Sequence, residues 1–181
     1  MKRNRFSTSP LIALFLALVS SSTMAADPVP AAPANLRAEP GEPLTLLFRA
    51  TGVQIYTCGF LVDHPSVFKW LFTAPEADLF DQGGAKIGRH YAGPTWELSD
   101  GSKVIGELKA RDPGPDPNAI PWFLLTAKPG TGSGRFARTH SIQRLQTTGG
   151  AAPGDSCSQQ QAGVVTRVPY TATYVFYDAK P

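Results

Sequence analysis

DQGGAKIGRHYAGPTWELSDGSKVIG, residues 81–106, is the stretch on which the fold turns. Glycines recur at short intervals between aromatic and charged side chains, the pattern of tight turns joining short strands. Asp100-Gly101 is the clearest turn, because Gly takes the positive φ of a hairpin loop without a steric cost and Asp tolerates it next best. Read as a two-residue loop, it sets Ser99 opposite Ser102, Leu98 opposite Lys103, Glu97 opposite Val104 and Trp96 opposite Ile105. Trp96 and Ile105 then share a buried face. The same stretch gathers His90, Tyr91, Glu97 and Asp100, the one place where a histidine, a phenol and two carboxylates lie so close in sequence.

The segments on either side carry the same punctuation. Toward the N-terminus, LTLLFR (44–49) and GVQIYTC (52–58) read as strands, the second with Val53 and Ile55 on one face and Gln54, Tyr56 and Cys58 on the other. Phe68, Trp70 and Phe72, at spacing two, are expected to be strand core, and Pro75-Glu76-Ala77 allows one helical turn before Gln82-Gly83-Gly84 stops it. Between Lys86 and Tyr91 the alternation sets Ile87, Arg89 and Tyr91 against Lys86, Gly88 and His90. Toward the C-terminus, ARDPGPDPNA (110–119) is a surface loop, and IPWFLLTA (120–127) is the most continuously apolar run, a buried strand. RFARTHSIQRLQT (135–147) is predicted to be a long polar strand at a sheet edge or rim. VVTRVPYTATYVFY (164–177) is predicted to be a strand pair bent at Pro169. Eight to ten short strands without a sustained helical period define an all-β fold, a single antiparallel sandwich or closed barrel over residues 44–181.

Ahead of that domain, Lys2, Arg3 and Arg5, the apolar run Leu11 to Val19 and the small residues around Ala25 have the three marks of a secretory signal peptide, with cleavage after Ala25 or Ala26. The apolar run is about half the length that spans a bilayer, so no transmembrane anchor is expected after cleavage. Residues 26–43, rich in Pro and Ala, read as an extended, disordered lead-in. The mature protein is expected in the periplasm or outside the cell. The leader also explains the charge: 17 basic residues exceed 14 acidic ones only because residues 1–25 hold three bases and no acid. A neutral mature chain without a basic run lacks the footprint of a nucleic-acid binder. Cys58 and Cys157, an even pair in an exported chain, point to a disulfide.

Chemistry is sparse. His90 with Glu97 suits proton transfer, which would make the chain a small hydrolase or lyase. No ligand spacing links His64, His90 and His140, so no metal is expected. Pro129 to Gly134 begins like a dinucleotide loop, but Arg135 occupies the third glycine position, so no cofactor is expected. No nucleophile elbow is present. Three Trp, five Tyr and ten Phe favour a non-catalytic binding or interaction module, with a small molecule, a glycan or an envelope protein as partner. Any ligand site is placed at the bends between Lys86 and Gly106, on His90, Tyr91, Trp96 and Glu97. Tyr91 and Trp96 beside Gly93-Pro94 are expected to be partly exposed, and Trp70 and Trp122 to be core.

GVQIYTC, APEADLFD, HYAGPTWELSDGSKVIG, IPWFLLTA, SIQRLQTTGGAAP and VPYTATYVFY, in this order, resemble an exported family of bacteria and fungi catalogued as domain of unknown function 3455. The resemblance implies a secreted all-β domain and supports the pairing of Cys58 with Cys157. It supplies no catalytic residues.

Overall fold

The structure, a computed structural model, describes residue 1, residues 28–154 and residues 156–181. The leader expected at residues 1–25 falls, apart from Met1, outside the described residues. Eight antiparallel strands follow one another around a closed barrel: β1 (Leu44–Leu61), β2 (His64–Phe80), β3 (Lys86–Tyr91), β4 (Thr95–Leu98), β5 (Lys103–Asp112), β6 (Trp122–Ala127), β7 (Thr139–Gly149) and β8 (Val165–Asp178), with β8 pairing back onto β1. Closure gives every strand two neighbours, although β2 and β5 run beyond the short β3 and β4 between them.

Alternation along each strand separates two cores. Phe48, Ala50, Ala77, Leu79, Trp96, Val104, Leu125, Ile142, Tyr174 and Phe176 point inward and pack together. Outside the wall, Leu124, Leu145 and Val175 form a second cluster that is closed by Leu36. Leu36 sits in a single 3-10 turn, Ala34–Leu36, and is fully buried, so the Pro/Ala-rich lead-in lays one apolar anchor on the barrel. Gln143 fixes it there by donating from Nε2 to the Leu36 carbonyl at 2.6 Å. Phe136, in the turn Gly134–Phe136, plugs one end of the barrel, its ring 4.9 Å from Phe176 and 6.4 Å from Phe48. Cys58 and Cys157 are joined by a disulfide, with Cα atoms 6.0 Å apart.

Several local expectations are corrected by the closed ring. The run from Arg135 is not an edge strand: β7 starts at Thr139, has β6 on one side and β8 on the other, and is buried along most of its length. Val165–Asp178 is one continuous strand rather than a pair bent at Pro169, since Pro169 is exposed and opposes Val53 without breaking the ladder. Pro75-Glu76-Ala77 lies within β2 and forms no helical turn; its register with Gln54, Val53 and Gly52 of β1 holds it extended. Ala110 to Asp112 belong to β5, not to the proline-rich loop. On β2, Phe68 and Trp70 are only half-buried and Phe72 is 56% exposed, because this part of the strand runs beyond its pairing with β3.

The Asp100-Gly101 turn also differs by one residue. Gly101 donates to the Leu98 carbonyl and Leu98 donates to the Ser102 carbonyl, so the loop holds three residues, Ser99, Asp100 and Gly101. Gly101 takes φ 85°, the left-handed position that ends such a loop, and Asp100 accepts from the Ser102 N–H. The pairing moves accordingly: Trp96 faces Val104, Thr95 faces Ile105 and Glu97 faces Lys103.

Candidate ligand site

The hairpin formed by β3 and β4 is short, while its neighbours β2 and β5 are long. Gly88 allows its two strands to lie close, because a Cβ there would stand 2.3 Å from the Glu97 carbonyl oxygen. The hairpin turns at Ala92-Gly93-Pro94 and leaves a notch between Phe72 to Pro75 of β2 and Glu107-Leu108 of β5. Behind the notch lies a cavity of about 410 Å³. Exposed Phe72 and Leu108 stand at its mouth, and His90, Trp96, Phe123, Leu125, Arg144 and Tyr174 form its inner wall.

His90 is 2% exposed and points into the barrel. Its ring stacks on Trp96 at 4.6 Å and lies 5.0 Å from Tyr174. The Nδ1 atom is 2.9 Å from the Thr95 carbonyl, which can only accept, so Nδ1 carries the proton and the neutral ring leaves Nε2 as an acceptor. Burial pushes its pKa down to about 3; the Thr95 carbonyl opposes that shift and the Arg144 guanidinium adds to it. At neutral pH His90 is uncharged.

Glu97 and Tyr91 are on the other side of the wall. Tyr91 donates its hydroxyl to Glu97 Oε2 at 2.6 Å, Arg89 reaches the same oxygen at 3.1 Å, and the Arg89 guanidinium lies 5.0 Å from the Tyr91 ring. The Tyr91 hydrogen bond, then Arg89, holds the Glu97 carboxyl below the usual range, and the same bond raises the Tyr91 phenol. These three side chains satisfy one another in solvent. The four predicted residues thus divide in two: His90 and Trp96 inside, Tyr91 and Glu97 outside, with no shared cleft for a His90 and Glu97 pair. Trp96, expected to be partly exposed beside Gly93-Pro94, is 1% exposed, because it lies on the inward face, paired with His90 on one side and Val104 on the other. Asp100 serves the turn.

Sequence reasoning misses Arg144, Tyr174, Phe123 and Leu125 as site residues. The signal for Arg144 is its position: it follows Ile142 by two and shares its face, a charge in line with a core residue. The described residues hold no cluster of three His, Cys, Asp or Glu side chains suited to a metal ion. No helix among them is long and apolar enough to cross a membrane.

A family model described as "Protein of unknown function (DUF3455)" matches residues 40–178, about three quarters of the chain. No curated protein and no solved structure matches it.

Proposed function

The chain belongs to the DUF3455 family of proteins of unknown function, and on that premise we propose that it is an exported, non-catalytic binding module whose barrel interior holds one small, largely apolar molecule. The observation that carries this reading is the cavity of about 410 Å³ behind the notch, lined by the rings of Trp96, Phe123 and Tyr174 with a few polar groups among them. A concave apolar wall with sparse polar directors is how small-molecule sites are built. His90 gives this site a fixed acceptor rather than a proton shuttle, being neutral, stacked and tied to Thr95. Export is supported by the basic and apolar leader in the sequence and by the Cys58–Cys157 bond, which persists in oxidising compartments.

Thermal-shift screening of the protein against small apolar and amphipathic compounds tests this reading, with Leu108→Trp as the control. Leu108 is 52% exposed at the mouth, so a tryptophan there obstructs entry without disturbing the core. Compounds that bind inside are expected to raise the melting temperature by a few degrees at concentrations well above their Kd, and to lose that effect in Leu108→Trp. Stabilisation of equal size in both proteins would place the site elsewhere.

A further inference from the structure

Among the charged residues that line the cavity, Arg144 is the buried one, while Lys128 and Glu107 are exposed. Arg144 is 8% exposed, held between the Phe123 ring, 3.9 Å from its guanidinium carbon, and the Pro121 carbonyl, which accepts from Nε at 3.1 Å and Nη2 at 2.8 Å. None of the ion pairs among the described residues includes Arg144. The acidic groups that act on it are the phenols of Tyr174, Tyr170 and Tyr56, all neutral at ordinary pH. Glu107, the carboxylate nearest the cavity, is exposed at its mouth. Beside the guanidinium lie the buried hydroxyls of Tyr174 and Tyr170, which interact with Arg144, with each other and with Gln54 but make no hydrogen bond of good geometry.

A buried guanidinium without a counter-ion, with the Tyr174 hydroxyl beside it on the wall of an open cavity, is half of an anion site. Building on the proposal that this cavity is a ligand site, we infer that it takes a small monocarboxylate on an apolar chain or ring, with its carboxylate against Arg144 and the Tyr174 hydroxyl and its body against Trp96, Phe123 and Leu125. A single buried cation matches the single charge of a carboxylate, whereas a phosphate ester would bring a second charge into an apolar wall. Planar guanidinium and planar carboxylate also share a fork geometry that a lysine would not provide.

Isothermal titration of the protein with 3-phenylpropanoate and with 3-phenylpropan-1-ol at pH 7 tests this, since the pair differs in the charged head alone. The carboxylate is expected to bind about tenfold or more tightly than the alcohol. Arg144→Met is expected to bring the two affinities together, chiefly by weakening the carboxylate. Should that variant fail to fold, Tyr174→Phe removes one hydroxyl and keeps the ring, and is expected to cut the carboxylate preference by about threefold or more. Equal binding of both probes to the unaltered protein would overturn the anion assignment and leave the cavity as a ligand site. Binding of neither would overturn both, and a carboxylate preference that survives these substitutions would remove Arg144 and Tyr174 from the site.

Discussion

The two faces of the β3–β4 hairpin are built from alternate residues of the same few positions, yet they have different chemistry. On the inner face, His90 and Trp96 stack in the buried core beside an arginine without a counter-ion. On the outer face, Tyr91 and Arg89 both donate to Glu97 Oε2, and the Arg89 guanidinium lies over the Tyr91 ring in view of water. A strand's two-residue period does this by itself: neighbours in sequence are placed on opposite sides of the wall. In the proposed reading, the capacity to bind lies on the inner side of the hairpin.

Four measurements break or sharpen that contrast. The largest effect is expected for Trp96→Ala, which empties the centre of the aromatic cluster and should cost about 3–5 kcal/mol of unfolding free energy by denaturant titration. A loss under about 1.5 kcal/mol would mean that the inner face is not the packed one. Next comes the disulfide, which lies apart from the hairpin and spans 99 residues of sequence. Its removal by Cys58→Ser with Cys157→Ser should cost roughly 4 kcal/mol in the chain-entropy model, and thiol titration of the unreduced, denatured protein should find no free thiol.

The third measurement uses proton linkage. His90 has a folded pKa of about 3 against an ordinary value near 6.5, so below pH 6.5 the unfolded chain takes up a proton that the folded one refuses. Stability from this group is fully present above pH 6.5 and falls as the pH drops toward 3, by up to about 2 kcal/mol at pH 5. The loss between pH 7 and pH 5 should be smaller in His90→Phe by that amount; identical slopes in both proteins would show that His90 is accessible to protons. The smallest effect is expected outside. Glu97→Gln should leave stability nearly unchanged, as loss of an exposed ion pair does. The same substitution should shift the Tyr91 phenol down toward its ordinary range, seen by ultraviolet titration against the unaltered protein.

How legible each feature is in the sequence depends on the range over which it is decided. Glycine spacing and alternation are local, so the all-β class and the split of Gly88 and His90 from Arg89 and Tyr91 can be read directly. The sequence alone sets Trp96 opposite the wrong residue because the register hangs on one residue of turn length, and both Asp100-Gly101 and Ser99-Asp100-Gly101 loops suit the same letters. The burial of β7 depends on β8 closing onto β1, which is invisible to any window of sequence. Arg144 escapes notice for the same reason, since Phe123 and Tyr174 reach it from β6 and β8. The cavity itself comes from a difference in strand length between β2, the short hairpin and β5, not from any motif.

The central claim is that the inner face, not the outer one, meets the ligand. A nuclear magnetic resonance titration of the protein with 3-phenylpropanoate, following the leucine methyl groups, the indole N–H groups and the backbone amides, tests it most directly. The account predicts that the largest shifts fall on the Leu125 and Leu108 methyls and the Trp96 indole, while the amides of Arg89 and Glu97 move little; shifts concentrated on Arg89, Tyr91 and Glu97, with Leu125 and Trp96 unmoved, would contradict it.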